Sequence, residues 1–205
     1  MIEWLKAFVY GLVEGISEWL PISSTGHLII LEQYFPLQIS AGFRSFFLVA
    51  IQLGAVMAAL LYFSKFLLSR SLRGNLTLLG KIVVSCVPAA AVGILFDDWI
   101  DAHFYHYTVV SLMLILFGIV FLYVDESKGS EKSLDEIGYK DAFVIGIFQL
   151  ISAVFPGVSR SGATIIGGLR CGLSRKVAAE YTFIMSIPVM LGAGLLKLIK
   201  LKEVP

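Results

Sequence analysis

The sequence predicts an all-α, polytopic helical membrane protein with two broken re-entrant helix pairs in an inverted-topology repeat. Three observations carry that prediction. Of the 205 residues, 58% are hydrophobic and 15% charged, with a mean hydropathy of +0.86; a soluble domain carries about 25% charged and 45–50% apolar residues. Apolar runs close to the ~20 residues that cross a bilayer as a helix recur along the chain. An interrupted apolar segment also occurs twice. The reading is one integral membrane domain over 1–205, with repeat 1 at about 7–63, repeat 2 at about 142–196 and linking spans within about 81–124.

The N-terminal apolar stretch is punctuated by Glu3, Glu14 and Glu18 and has no small-residue cleavage site after it, so no cleavable signal peptide is expected. Segments 7–40 and 142–172 each begin with about fourteen mainly apolar residues and then break at a proline, Pro21 or Pro156. Small polar residues follow, and then a second apolar stretch. Half-helices meeting at a loop inside the membrane fit this pattern, and such backbone is tolerated only inside protein or beside a water-filled cavity. Laid over each other without a gap, 7–24 and 142–159 share eight of eighteen residues, including Gly11 with Gly146, Ser17 with Ser152, Pro21 with Pro156 and Ser24 with Ser159. Glu14 falls on Gln149.

Full spans are expected at 46–63, 81–96 and 108–124, and a fourth at 177–196, which contains Glu180 and Pro188. The connection 64–80 carries Lys65, Arg70 and Arg73, and 125–141 carries Lys128, Lys132 and Lys140 among acids; 97–107 has three aspartates and no Lys or Arg. The positive-inside bias puts the first two in the cytoplasm and the third outside. Inversion of the repeats would leave Lys197, Lys200 and Lys202 outside, against that bias. Cys86 and Cys171 lie far apart in apolar sequence and suggest neither a disulfide nor a metal site. A net charge of +1 gives no reason to expect nucleic acid.

The chemistry concentrates at the two breaks. Glu14 and Glu18 share one face of the first half-helix. Carboxylates at membrane depth are functional by default. These two can bind a divalent cation, or one can stay protonated beside the other; the bland alternative is that both face interfacial water. Ser23, Ser24, Thr25 and His27 place hydroxyls and an imidazole within five residues, as an activated nucleophile needs or as an ordinary helix cap would. In the second break, Ser159, Arg160, Ser161, Gly162 and Thr164 combine an arginine fork suited to phosphate with hydroxyls and a glycine that admits close approach. Amides opening the next half-helix, at Ser161 or Gly162, would also favour an anion. Arg160 can instead be a structural partner of Glu14 or Glu18. Together the breaks offer what a phosphorylated ligand in the membrane requires: Ser23, Thr25, Ser159, Arg160, Ser161, Gly162 and Thr164 are the candidate phosphate ligands. His103 and His106 read as surface residues.

The stretches EGISEWLPISSTGH at 14–27 and PGVSRSGAT at 156–164, with IQLGAV at 51–56 and AFVIGIFQ at 142–149, resemble the undecaprenyl-diphosphate phosphatase family, the bacitracin-resistance (BacA-type) proteins. The resemblance covers essentially the whole chain. It implies a hydrolase that removes the terminal phosphate of undecaprenyl diphosphate, so that the monophosphate carrier is reused in cell-wall synthesis. It also implies two re-entrant broken helices in an inverted repeat, a multi-pass protein of the plasma (bacterial inner) membrane, and an active site opening to the outer face. The family's acidic motif maps onto Glu14 and Glu18, its histidine onto His27, its arginine onto Arg160 and its proposed nucleophilic serine onto Ser24. A divalent metal, Mg2+ or Ca2+, is associated with the activity, with Glu14 and Glu18 as its expected ligands. The family usually continues with about two more spans past the region matching 177–196, whereas this sequence ends at Pro205.

The expectation is therefore a membrane phosphatase acting on a polyprenyl diphosphate lipid. Arg160 with Ser159 and Ser161 would grip the diphosphate, Ser24 or water would attack, and His27 would serve as acid/base or orient the nucleophile. The sequence leaves a homodimer open. Two competing classes remain: an inverted-repeat transporter or flippase for a phosphorylated lipid or anion, which needs no clustered hydroxyl, imidazole and carboxylate, and an inactive scaffold, suggested only by the short C-terminus.

Overall fold

A computed structural model describes residues 3–124 and 132–200. Lys128 and Lys202 lie outside the described residues, as does the Lys200 side chain. All regular structure among the described residues is helical: α1 (Glu3–Ser17), α2 (Ser24–Tyr34), α3 (Ala41–Ser69), α4 (Leu72–Phe104), α5 (Tyr107–Leu122), a 3-10 turn (Leu134–Glu136), α6 (Tyr139–Val154), α7 (Arg160–Arg170) and α8 (Arg175–Lys200).

The expected spans are the centres of α3, α4, α5 and α8, but the helices run further than hydropathy suggested. The connection 64–80 is helical except at Arg70 and Ser71. The segment holds no proline, so its charges ride on helix ends that project past the apolar stretch. Ser71 restarts the chain by accepting from the Gly74 amide at 3.1 Å, as an N-cap should. Residues 98–104 likewise extend α4. Ala41–Ser69, Leu72–Phe96 and Arg175–Ile199 are each long and apolar enough to cross a membrane. The expected span at 108–124 is the 16-residue α5, which meets the end of α4 at an 85° corner. His103 and His106, at this corner, are exposed. Leu61, Leu68, Ile94, Leu95, Ile115 and Leu122 face outward, as the surface of a multi-pass membrane protein must.

Both broken segments fold back on themselves. Lys6 Nζ donates to the Pro36 carbonyl at 2.8 Å, Tyr10 OH to the Phe35 carbonyl at 3.2 Å, and the Gln38 amide to Glu3 Oε2 at 3.0 Å. The open ends of the α1–α2 hairpin are thus side by side. At the open end of α6–α7, Lys132 Nζ lies 3.6 Å from Asp141 Oδ2 and donates to the Cys171 carbonyl at 3.4 Å. The first pair of ends shares a cavity wall with Asp98, Asp101 and Lys197. The second lies toward the other end of α4, where Lys81 Nζ donates to the Asp135 carbonyl at 2.7 Å and Arg70 pairs with Asp135.

The second hairpin is fixed to the long helices by a dry polar joint. Ser85 Oγ of α4 donates to the Ala142 carbonyl of α6 at 2.7 Å and lies 2.7 Å from Tyr181 OH of α8. Small residues and buried hydroxyls hold membrane helices together where lipid gives no hydrophobic drive. Gly146 makes this approach possible: a Cβ there would lie 2.5 Å from the Ser85 carbonyl oxygen. Cys86 and Cys171 are free thiols.

Gly146→Ala should therefore force α4 and α6 apart at a cost of about 1–3 kcal/mol, read as a lower melting temperature in detergent. Gly54→Ala, where a Cβ would meet nothing within 4 Å, should leave the melting temperature unchanged or raise it. In a cysteine-free background, single cysteines at positions 5 and 38 should label with an impermeant maleimide from the same face of the membrane. Labelling from opposite faces would exclude the hairpin.

Candidate active site

The two breaks share one plan. After α1 the chain turns through Glu18–Ile22, and Ser23 caps α2, its Oγ accepting from the Gly26 amide at 3.2 Å. After α6 it turns through Phe155–Val158, and Ser159 caps α7, its Oγ accepting from the Gly162 amide at 3.1 Å. Two residues in these turns sit at positive φ. Gly157 (φ 97) would clash with the Val110 carbonyl if it carried a Cβ, at 2.5 Å. Ser23 (φ 66, ψ 94) is the sole non-glycine residue of that kind among the described residues. The N-termini of α2 and α7 thereby converge, and each end carries partial positive charge.

At the meeting point Arg160 Nη2 donates to Glu18 Oε1 at 2.5 Å. The expected approach of the arginine to the acidic pair is thus direct contact. Ser24 Oγ donates to the other oxygen of the same carboxylate, Glu18 Oε2. Glu14 stands beside the same hydroxyl and is 3% exposed, so neither carboxylate is an interfacial surface group. Ser161 Oγ donates to the Leu20 carbonyl at 3.2 Å, which ties the breaks together a second time. Arg160 Nη1 is buried with no hydrogen-bond partner among the described residues. A buried cationic donor left unpaired is costly, and an incoming anion would complete it.

These groups line a cavity of about 190 Å³ that includes Glu18, Ser23, Ser24, Thr25, Ser159, Arg160 and Ser161. Its wall follows the repeat: Ser17 with Ser152, Glu18 with Ala153, Ser24 with Ser159, and Thr25 with Arg160 are matched positions, and all of them line it. Thr25, Gln52 and Tyr105 are shared with a larger chamber of about 640 Å³ that also contains Glu14, Glu32 and Arg44. A third cavity, of about 450 Å³, lies against α5 and is lined by His27, Leu114, Phe117 and Phe121.

Four predicted site residues do not line the small cavity. Glu14 lines the larger chamber instead. The Gly162 amide is taken by the Ser159 cap, and the residue packs against Phe117 and Phe121. Thr164 Oγ1 donates back to the Arg160 carbonyl at 2.9 Å and accepts from Thr182 at 3.0 Å, so it serves helix packing. His27 projects from the other side of α2 into the third cavity. Conversely, Ser17, Ser152, Gln52, Tyr105 and Met190 line the small cavity without having been singled out as ligands. Self-alignment could have pointed to the two serines, and Gln52 is the only amide side chain within 46–63, which has no charged residue.

The oxygen donors available for a cation are the Glu14 and Glu18 carboxylates, the Ser24 hydroxyl and the Gln52 amide, of the type Mg2+ and Ca2+ take. No group of three or more His, Cys, Asp or Glu side chains converges among the described residues. The set fits an ion that completes its shell with phosphate oxygens and water, as Mg2+ usually does.

Fold and site together define a polytopic α-helical membrane protein whose buried polar centre is assembled from two broken helices. Residues 7–204 match the family described as bacitracin resistance protein BacA, and the chain belongs to that family. It is 55% identical to "Undecaprenyl-diphosphatase 1" of Clostridium acetobutylicum, over 97% of this chain and 77% of that protein. It is 51% identical to "Undecaprenyl-diphosphatase" of Desulfitobacterium hafniense, over 98% and 76%. The protein of the same name from Streptococcus mutans is 47% identical, over 97% and 74%. The chain thus spans about three quarters of the length of these relatives.

Lysine at position 160 can satisfy Glu18 but offers no second, rigidly placed donor where Nη1 now points. Arg160→Lys should therefore fold and insert, yet lose turnover by about 10²–10³-fold, the worth of one preorganised donor at about 2.7–4 kcal/mol. Near-full activity in the folded variant would reduce Arg160 to a counter-ion of Glu18.

Proposed function

We propose that the protein hydrolyses undecaprenyl diphosphate to undecaprenyl phosphate and inorganic phosphate, returning the lipid carrier to cell-wall synthesis and conferring bacitracin resistance. Membership of the family and the names of its relatives support this reading. The observation that carries it in the structure is the triad at the break: Ser24 hydrogen-bonded to Glu18, Glu18 paired with Arg160, and Arg160 Nη1 left without a partner. A carrier needs an anion site but not a hydroxyl held against a carboxylate.

In this reading the terminal phosphoryl group enters the small cavity and takes the free Arg160 donor. Ser159 and Thr25 hydroxyls and the converging ends of α2 and α7 add to the clamp, while the Ser161 hydroxyl is committed to the Leu20 carbonyl. Ser24 Oγ attacks phosphorus as its proton passes to Glu18. The bridging P–O bond breaks, and its electron pair leaves with undecaprenyl phosphate. Water then releases phosphate from the serine and the proton returns. The alternative route uses the same carboxylate to activate water directly. A Mg2+ or Ca2+ ion, if bound at Glu14 and Glu18, would neutralise charge on the phosphoryl oxygens. Positioning and charge stabilisation dominate in either route.

The setting proposed is the plasma membrane, with the two hairpins as inverted repeats. The larger chamber would open to the outer side, because its wall includes Asp98 and Asp101 from the corner that lacks Lys and Arg, alongside Arg44 and Lys197. The polyprenyl chain would lie in lipid while the diphosphate reaches the chamber.

Purified protein should release phosphate from undecaprenyl diphosphate. Glu18→Asp, which keeps the charge beside Arg160 but draws the carboxylate away from Ser24, and Ser24→Ala should each abolish most of that release while the protein stays folded. Movement of the intact lipid diphosphate across vesicle membranes without phosphate release would favour a carrier instead.

A further inference from the structure

His27 occupies a place that its proximity to Ser24 in the sequence does not suggest. Its ring lines the cavity against α5, with Pro21, Leu114, Phe117 and Ser159, and does not line the cavity that holds Glu18, Ser24 and Arg160. One ring nitrogen is already committed: Nδ1 lies 2.8 Å from the Ser23 carbonyl oxygen. A carbonyl can only accept, so Nδ1 carries the proton and donates it there. The same oxygen also receives the His27 backbone amide, at the longer distance of 3.2 Å.

That carbonyl belongs to the one described non-glycine residue at positive φ. A serine held at φ 66 persists only where its surroundings over-determine it. Three bonds do so here. The Ser23 Oγ caps Gly26, the His27 amide begins the helical ladder, and the His27 ring fixes the plane of the Ser23–Ser24 peptide. The nitrogen of that peptide is Ser24's own, so its orientation sets where the Ser24 side chain points. Ser24 Oγ points to Glu18.

We propose that His27 is a positioning residue: through Nδ1 it locks the strained Ser23–Ser24 peptide and so aims the Ser24 hydroxyl at Glu18, while its ring exchanges no proton with the reacting phosphoryl group. This rests on the phosphatase reading above. The proton acceptor for Ser24 is Glu18, and the free Nε2 of His27 faces a largely apolar cavity on the other side of the break. The proposal separates two roles that an imidazole near a nucleophile usually combines.

The test compares His27→Asn, His27→Gln and His27→Ala in the purified protein, with thermal unfolding in detergent as the check on folding. Asparagine places an amide NH2 close to the position of Nδ1; glutamine places it near Nε2. With undecaprenyl diphosphate as probe, His27→Asn should keep most of the wild-type kcat with every limb of the pH–rate profile in place. His27→Gln and His27→Ala should lose about 10²-fold in kcat with KM little changed, the scale expected for a nucleophile displaced by an ångström. An asparagine variant as inactive as alanine, or one lacking a limb of the pH profile, would overturn the proposal and return His27 to acid/base duty. A second measurement needs no turnover. In 15N-histidine spectra of the wild-type protein, the signal that disappears in His27→Asn should be the Nδ1–H tautomer; an Nε2–H tautomer with bare Nδ1 would overturn the clamp. Wild-type protein that released no phosphate would sink the phosphatase reading, and the spectra would still decide the role of His27.

Discussion

Arg160 and Glu18 sit between the tips of two hairpins, and neither charge is tolerable there without the other. Removing an ion from water into a medium of low polarity costs several kcal/mol even after relaxation, and breaking such a pair by deleting one member strands the remaining charge. The contact therefore does more than join two side chains. It makes the docking of α1–α2 against α6–α7 a condition for burying either break. The bond from Ser161 to the Leu20 carbonyl reinforces it, and the Ser85–Ala142–Tyr181 joint holds the second hairpin against the long helices from behind. The pair is incomplete by one donor, Arg160 Nη1. A site whose resting counter-ion is a carboxylate is already shaped for a stronger anion.

Much of this arrangement was legible in the sequence, because membrane depth turns polarity into information. Glu, Arg and clustered hydroxyls in apolar segments have few places to go, and the prolines at positions 21 and 156 mark where the helices must stop. The meeting of Arg160 with Glu18 followed from those costs alone. What escaped was governed by directions that composition does not encode. The 64–80 segment is polar and suggests a loop, yet it holds no proline and is helical except at Arg70 and Ser71, so its charges extend α3 and α4 beyond the apolar layer. Gly162 and Thr164 suit a phosphate by type, but the Gly162 amide is consumed by the Ser159 cap and Thr164 bonds to Thr182. His27 is expected either as acid/base or as the group that orients the nucleophile, and type and spacing do not choose between the two. Ser24 and His27 both lie on α2, yet Ser24 lines the cavity with Glu18 and Arg160 while His27 lines the one against α5.

The self-similarity of the two hairpins separates scaffold from chemistry. Backbone-determining residues are duplicated: Pro21 and Pro156 at the stops, Gly11 and Gly146 in the first arms. Such residues fix turns and close approaches, and the same geometry needs them twice. The charged positions are not duplicated. Glu14 faces Gln149 in the alignment, Glu18 faces Ala153, and Thr25 faces Arg160. Two identical tips would have brought carboxylate against carboxylate, or arginine against arginine, and like charges at this depth would drive the hairpins apart. Divergence at these few positions gives one tip a proton acceptor and a hydroxyl and the other a cation, on a frame that presents both helix N-termini to the same small space. Attraction between the tips and chemistry at the tips thus have a single origin, and a substitution that restored symmetry, such as Ala153→Glu, would act on docking and on the site at once.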